Sequence, residues 1–248
     1  SVPYLYIGYG SDTENQKWLL DDLSVYRNTI TSTEIAVPKK GGDSSVEGGE
    51  LYPGQVFFSD FERENDGTTI YGKGSFIDFG GNFGRVFQNV GGAQRSNYLI
   101  LPEDVLSHSA ETKELSIGVW VNAANAGASA DYMWAPLFSA YASGPATDNG
   151  TPMFICQYRG ILQVNCNGWC DFTDAQNVAG TNGVYHDATD WLADKGWHYY
   201  TVTLTETNAK VYFDGVLKNE WNVSGSGDGN VIGGLFSNGS DLKYICLG

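Results

Sequence analysis

The stretch "KGWHYYTVTLTETNAKVYFDGVLKNEW", Lys195 to Trp221, decides the fold. Its first part, "WHYYTVTLT" (197–205), is rich in β-branched and aromatic residues. The second part sets "AKVYF" against "VLKNEW" across Asp214-Gly215. An Asp-Gly pair between two alternating runs is the strongest short-range signal for a β-hairpin, because both turn positions need positive φ. Three successive antiparallel strands are therefore expected here.

The same grammar extends in both directions. Upstream lie "QVFFSDFE" (55–62), "LSIGVWVNA" (115–123), with Ile117, Val119 and Val121 on one face, "APLFSAYA" (135–142) and "PMFICQY" (152–158). Tyr158-Arg159-Gly160 joins the last of these to "ILQVNC". Downstream come "NVIGGLFSN" (230–238) and "DLKYICLG" (241–248). With 32 glycines in 248 residues, the chain reads as many short strands joined by turns. No helical periodicity runs beyond about three turns, and no apolar run approaches the roughly 20 residues that span a bilayer. Roughly a dozen strands in one series imply a two-sheet sandwich or a barrel.

The net charge is −15, with only 14 lysines and arginines. Nucleic acid and anionic membrane demand a basic footprint, so both are poor partners. Carboxylates in such number suit a hard cation with oxygen ligands, calcium above all, although most acidic side chains are simply solvated. Cys156, Cys166, Cys170 and Cys246 make no C-x-x-C pair, and His108, His186 and His198 are scattered, which argues against zinc. The cysteines read equally as disulfides or as buried thiols.

The N-terminus reads like the end of a domain. "WLLDDLSVY" (18–26) is a strand, and Thr31 with Glu34 has the spacing of a capping box for a short helix near 31–36. Residues 39–50, "KKGGDSSVEGGE", read as a linker that extends to about 40 Å. "YLYIGYG" (4–10) matches "LKYICLG" (242–248) at Tyr6/Tyr244, Ile7/Ile245 and Gly10/Gly248. We therefore divide the chain into a closing strand element (1–38), the linker and a main body (51–248). The expectation is that Trp18–Tyr26 fills a vacant strand position within its own chain. The two matching segments are expected as neighbouring strands, with 4–10 an added edge.

These motifs together resemble the bacterial laminin G-like domains of the concanavalin A-like superfamily. Trp-His leading a strand, the Asp-Gly hairpin after it, and an Asp-Asp strand ending in Tyr all follow that pattern, though here the closing element comes first. The resemblance implies an all-β jelly-roll sandwich of two antiparallel sheets. It also implies a structural calcium ion near the first and last strands. Carried over residue by residue, that site falls on Asp21, with Asp60 and Glu62 on one face of the "FFSDFE" strand and an oxygen of Asn89. Asp21, on the face of Leu19, Leu23 and Val25, needs a cation or hydrogen bonds to offset its desolvation.

A sugar site combines aromatic faces with amide, carboxylate and guanidinium groups. The region from Tyr132 to Asp171 has that mix in Trp134, Tyr158, Arg159, Gln163, Asn165, Trp169 and Asp171. Trp120, Trp197 and His198 read as structural. No E-x-D-x-x-E run, triad motif or phosphate cradle occurs. The expected function is a non-catalytic carbohydrate-binding or adhesion module, one unit of a repeated protein at the bacterial cell surface or outside the cell. Its expected partners are a glycan or cell-surface ligand and neighbouring copies through strand complementation. A purely structural or polymerising repeat, or a glycoside hydrolase, are the alternatives.

Overall fold

The computed structural model describes residues 4–7, 19–31, 53–63, 66–90, 97–102, 105, 107–122, 136–141, 152–157, 162–165, 169–172 and 196–222. The chain is all-β there, in two antiparallel sheets. The first sheet has seven strands in the order β12 (Trp169–Phe172), β11 (Leu162–Asn165), β10 (Pro152–Gln157), β9 (Pro136–Tyr141), β1 (Tyr4–Ile7), β7 (Tyr98–Ile100), β4 (Thr69–Tyr71). The second has eight. Seven follow the order β15 (Val216–Asn222), β14 (Asn208–Phe213), β13 (Trp197–Thr205), β8 (Glu114–Asn122), β2 (Leu19–Tyr26), β6 (Arg85–Gln88), β5 (Ser75–Asp78), and β3 (Gln55–Ser59) pairs with β2. A six-residue helix, α1 (Ser107–Thr112), precedes β8. No helix among the described residues is long and apolar enough to cross a membrane.

β8 shows how the layers are built. All of its residues but Glu114 are buried, so both of its faces are covered. The odd face, Ile117, Val119 and Val121, is set toward the first sheet. The register fixes this: Val119 pairs with Tyr200, whose ring lies 6.1 Å from Phe138 of β9. The even face, with Ser116, Gly118 and Trp120, carries a second core of Leu19, Ile30, Phe83, Val86, Trp120, Tyr199 and Tyr212. Gly118 belongs to it by necessity, because a Cβ there would collide with the Tyr199 hydroxyl. Trp197 stacks on Phe83 with centroids 3.9 Å apart. Trp120 and Trp197 are thus structural, as their strand positions suggest.

The Asp-Gly hairpin forms as read, with β13, β14 and β15 in antiparallel sequence. Asp214 and Gly215 have φ of 51° and 75°, the positive values the turn requires. Asp214 does more than turn the chain. Its Oδ1 accepts the Tyr199 amide at 2.8 Å, and its Oδ2 lies 2.6 Å from Nδ1 of His198. The His198 ring stacks on Phe213 at 4.4 Å. The Trp-His and Asp-Gly signatures are two halves of one structural contact.

The N-terminal strands lie deep within the sheets. β2 is flanked by β8 on one edge and by β6 and then β3 on the other. Its Leu20, Leu23 and Val25 are fully buried. Trp18–Tyr26 therefore does supply an interior strand, beginning at Leu19. The added-edge expectation for 4–10 is corrected: β1 sits between β7 and β9, hydrogen-bonded to both. The short helix at 31–36 (beyond Thr31), the linker and the strands at 230–238 and 241–248 lie outside the described residues.

Candidate functional site

The acidic site begins with a fault in β2. Leu19, Leu20 and Asp21 pair with Asn122, Val121 and Trp120 of β8, but Ser24 then pairs with Gly118. β2 has inserted one extra residue, a β-bulge, and Asp22 absorbs it at φ 47°. One extra residue moves every later side chain to the other face. Asp21 thus shares a face with Leu19 and Trp120, whereas Leu23 and Val25 turn toward the first sheet. This corrects the expectation that Asp21, Leu23 and Val25 share a face.

β2 also changes partners here on its other edge. β6 accompanies Leu19 and Leu20, and β3 accompanies Leu23 to Tyr26. The acidic loop after β3 approaches this break. Asp60 and Glu62 are not on a strand, contrary to the sequence reading, because β3 ends at Ser59. The chain then turns tightly. Asp60 Oδ1 accepts the Glu62 amide at 3.1 Å, and Phe61 takes φ 56°. Phe61 is wholly buried against Phe76 and Phe87, at centroid distances of 5.7 and 6.4 Å. This aromatic plug fixes the turn that carries Asp60 and Glu62.

Asp21 is only 4% exposed. One oxygen accepts the Asp22 amide at 3.0 Å. Burial, and then repulsion from Asp22, Glu62 and Asp60, push its carboxyl up to about 8, against the opposing pull of that amide. Among the described residues the charges acting on it, Asp22, Glu62 and Asp60, are acidic, so a cation would relieve both burial and repulsion.

The donor set is entirely oxygen, which fits calcium. Yet among the described residues no three His, Cys, Asp or Glu side chains form a group that holds a metal. A cation here would rest on Asp21, with backbone and water oxygens completing the shell. Glu62 already has a structural duty, since its Oε1 accepts the Arg85 amide at 2.8 Å. A Cβ on Gly84 would collide with that same carboxylate. Asn89 is buried, and its amide donates to the Asn97 carbonyl at 3.1 Å. Asn97 in turn accepts the Lys73 amide at 2.5 Å, so Asn89 braces a loop.

Sequence reasoning passed over Asp22 and Asp66. Asp66 organises the loop after Phe61, accepting from the Thr68 amide at 2.8 Å, the Thr68 hydroxyl at 2.6 Å and the Ser59 hydroxyl. The Asp66-Gly67-Thr68 turn chemistry was the available signal.

Four of the seven sugar-site residues come together in the first sheet. Gln163 pairs with Asp171, and Asn165 with Trp169, across β11 and β12. Phe138, whose ring packs on Tyr200, shares one register row with Cys156, Leu162 and Phe172. The adjacent row through Ser139, Ile155, Gln163 and Asp171 therefore belongs to the opposite face. Asn165 and Trp169, two residues further along, share it. Trp134, Tyr158 and Arg159 lie outside the described residues.

No family model, curated protein or solved structure matches this chain.

Proposed function

We propose that this chain is a non-catalytic carbohydrate-binding or adhesion module with a laminin G-like jelly roll, working outside the cell or at its surface. The observation that carries the reading is the paired register of Gln163 with Asp171 and of Asn165 with Trp169. It puts Gln163, Asn165, Asp171 and Trp169, residues that carry two amides, a carboxylate and an indole, at register positions on one face of two paired strands, the outermost of the first sheet among the described residues. Hydroxyl-rich, ring-shaped ligands ask for that chemistry: an aromatic plane for the apolar face of a pyranose, with amides and carboxylate for its hydroxyls.

Asp21 is proposed to hold a structural calcium ion. The support is a buried carboxyl pushed up by burial and by three acidic neighbours, in an all-oxygen setting. Calcium sites of extracellular modules work at millimolar ion levels, which suits an incomplete protein shell finished by water.

A glycan array on the purified chain tests the ligand class. Binding to at least one glycan, lost in Trp169→Ala and in Asp171→Ala while the far-ultraviolet spectrum is unchanged, supports the reading. Binding that survives both substitutions moves the site elsewhere, and no binding to any glycan contradicts the proposal.

A further inference from the structure

The face that carries Gln163 and Asp171 continues across the first sheet. Ile155 of β10 pairs with Gln163 on one side and with Ser139 of β9 on the other. Ser139 pairs with Tyr6 of β1, Tyr6 with Ile100 of β7, and Ile100 with Thr69 of β4. One unbroken register row thus crosses all seven strands of the sheet, from Asp171 to Thr69. At a strand spacing of about 4.8 Å, its ends stand about 29 Å apart.

At the β4 end this face is turned outward. Leu99 and Leu101 are buried, whereas Ile100 between them is half-buried and its partner Thr69 is exposed. Tyr71, two residues after Thr69 and so on the same face, is 47% exposed. Its ring stacks on that of its register partner Tyr98, with centroids 4.6 Å apart and planes 20° from parallel. Tyr98 is wholly buried, so a fixed ring backs Tyr71 and holds it in one orientation. A braced and solvent-accessible aromatic ring is the feature that a pyranose stacks against.

We infer that Tyr71 is a second aromatic subsite, and that the ligand is an uncharged, extended polysaccharide chain laid across the strands from Trp169 to Tyr71. The inference rests on the sugar-binding reading of β11 and β12 and extends it. Distance argues for a chain: about 29 Å is far more than one pyranose ring covers, so a single sugar meets only one of the two aromatic residues. The middle of the path suits such a chain. Tyr6 and Ser139 put two hydroxyl-bearing residues in the row, and Tyr4 pairs with Tyr141 on the same face. Composition argues against a polyanion. The row carries a single charge, the carboxylate of Asp171, on a protein of net charge −15.

Calorimetric titration with cello-, xylo-, laminari- and malto-oligosaccharides tests this, with polygalacturonate as the anionic comparison. At least one hexasaccharide is expected to bind about tenfold tighter than its disaccharide, the worth of one further aromatic contact. Tyr71→Ala is expected to remove that gain and leave disaccharide binding unchanged, because the amides and carboxylate lie at the Trp169 end. Tyr71→Phe is expected to keep the gain, and Trp169→Ala to weaken both lengths. Hydrogen exchange on the unmodified chain gives an independent reading: the hexasaccharide is expected to slow exchange at residues 69–71, and the disaccharide is not. Hexasaccharide binding that is lost in Trp169→Ala yet unchanged in Tyr71→Ala overturns the inference and leaves the site on β11 and β12 standing. Binding that survives Trp169→Ala overturns both. Equal affinity for the two lengths, no binding to any of the four series, or tighter binding of polygalacturonate than of every hexasaccharide also overturns the inference.

Discussion

The Asp214 carboxylate closes the hairpin by reaching back to His198, with Oδ2 2.6 Å from Nδ1. Its other oxygen takes the Tyr199 amide. Asp214→Ala is expected to cost about 1–2 kcal/mol, the net worth of hydrogen bonds to a charged acceptor that is partly solvated. Denaturant unfolding measures it. Asp214→Asn is expected to recover part of the loss by keeping the turn and the amide contact. Equal stability of Asp214→Ala and wild type rejects a clasp between the Trp-His strand and the turn.

Gly118 and Tyr199 make the second core a close-packed layer rather than a rim. Gly118→Ala is expected to destabilise by about 1–3 kcal/mol, because the new methyl meets the Tyr199 hydroxyl. Gly118→Ala combined with Tyr199→Phe is expected to recover only part of that loss, since the contact with the hydroxyl goes while the ring carbon Cζ, 2.8 Å from the new methyl, still crowds it. Losses that simply add would show that the two residues do not meet.

Removing residues 1–38 is expected to leave an aggregating or unfolded chain. β2 buries Leu20, Leu23 and Val25, and its loss strips a partner from β8, β3 and β6 at once. Leu23→Ala in the whole chain is expected to cost about 2–5 kcal/mol for the same reason. Thermal melting and light scattering of 51–248 check the first expectation. A soluble fragment as heat-stable as the parent refutes it.

Much of the fold was legible in local chemistry. The Asp-Gly hairpin, the apolar β8 and the strand at 19–26 each carry their own signal, and each forms. The depth of β1 was not legible, because strand order within a sheet depends on non-local pairing that a four-residue run does not encode. The Asp21 bulge was equally hidden. Alternation alone puts Asp21 with Leu23 and Val25, and only the pairing with β8 reveals the extra residue. The turn at Asp60 escaped for a related reason. "FFSDFE" alternates well as a strand, but burying Phe61 beside Phe76 and Phe87 bends the chain out of it. Gln163 and Asn165, expected on sequence in a sugar site, were expected to share a face by their alternation, whereas their pairing with Asp171 and Trp169 needed the register.

Asp21 also sets a pH dependence. In chelator its carboxyl titrates at about 8 in the folded chain, driven first by burial and then by Asp22, Glu62 and Asp60. An unfolded aspartate titrates at about 3.9. Between these values the folded chain keeps a proton that the unfolded chain has released, so this group's contribution falls as pH rises from about 4 to about 8. Wild-type stability relative to Asp21→Asn, measured in chelator at pH 5 and pH 8, is expected to be lower at pH 8. A difference that is flat or rises with pH contradicts the burial of an unneutralised carboxyl.

Calcium titration of the melting temperature, run in parallel on wild type and Asp21→Asn, tests the central claim most directly. An ion that binds only the folded chain stabilises it by about 2.7 kcal/mol at a hundredfold excess over Kd. The account predicts that calcium raises the wild-type melting temperature, that chelator reverses the rise, and that Asp21→Asn shows little response. A wild-type melting temperature indifferent to both calcium and chelator, or an equal rise in Asp21→Asn, would contradict it.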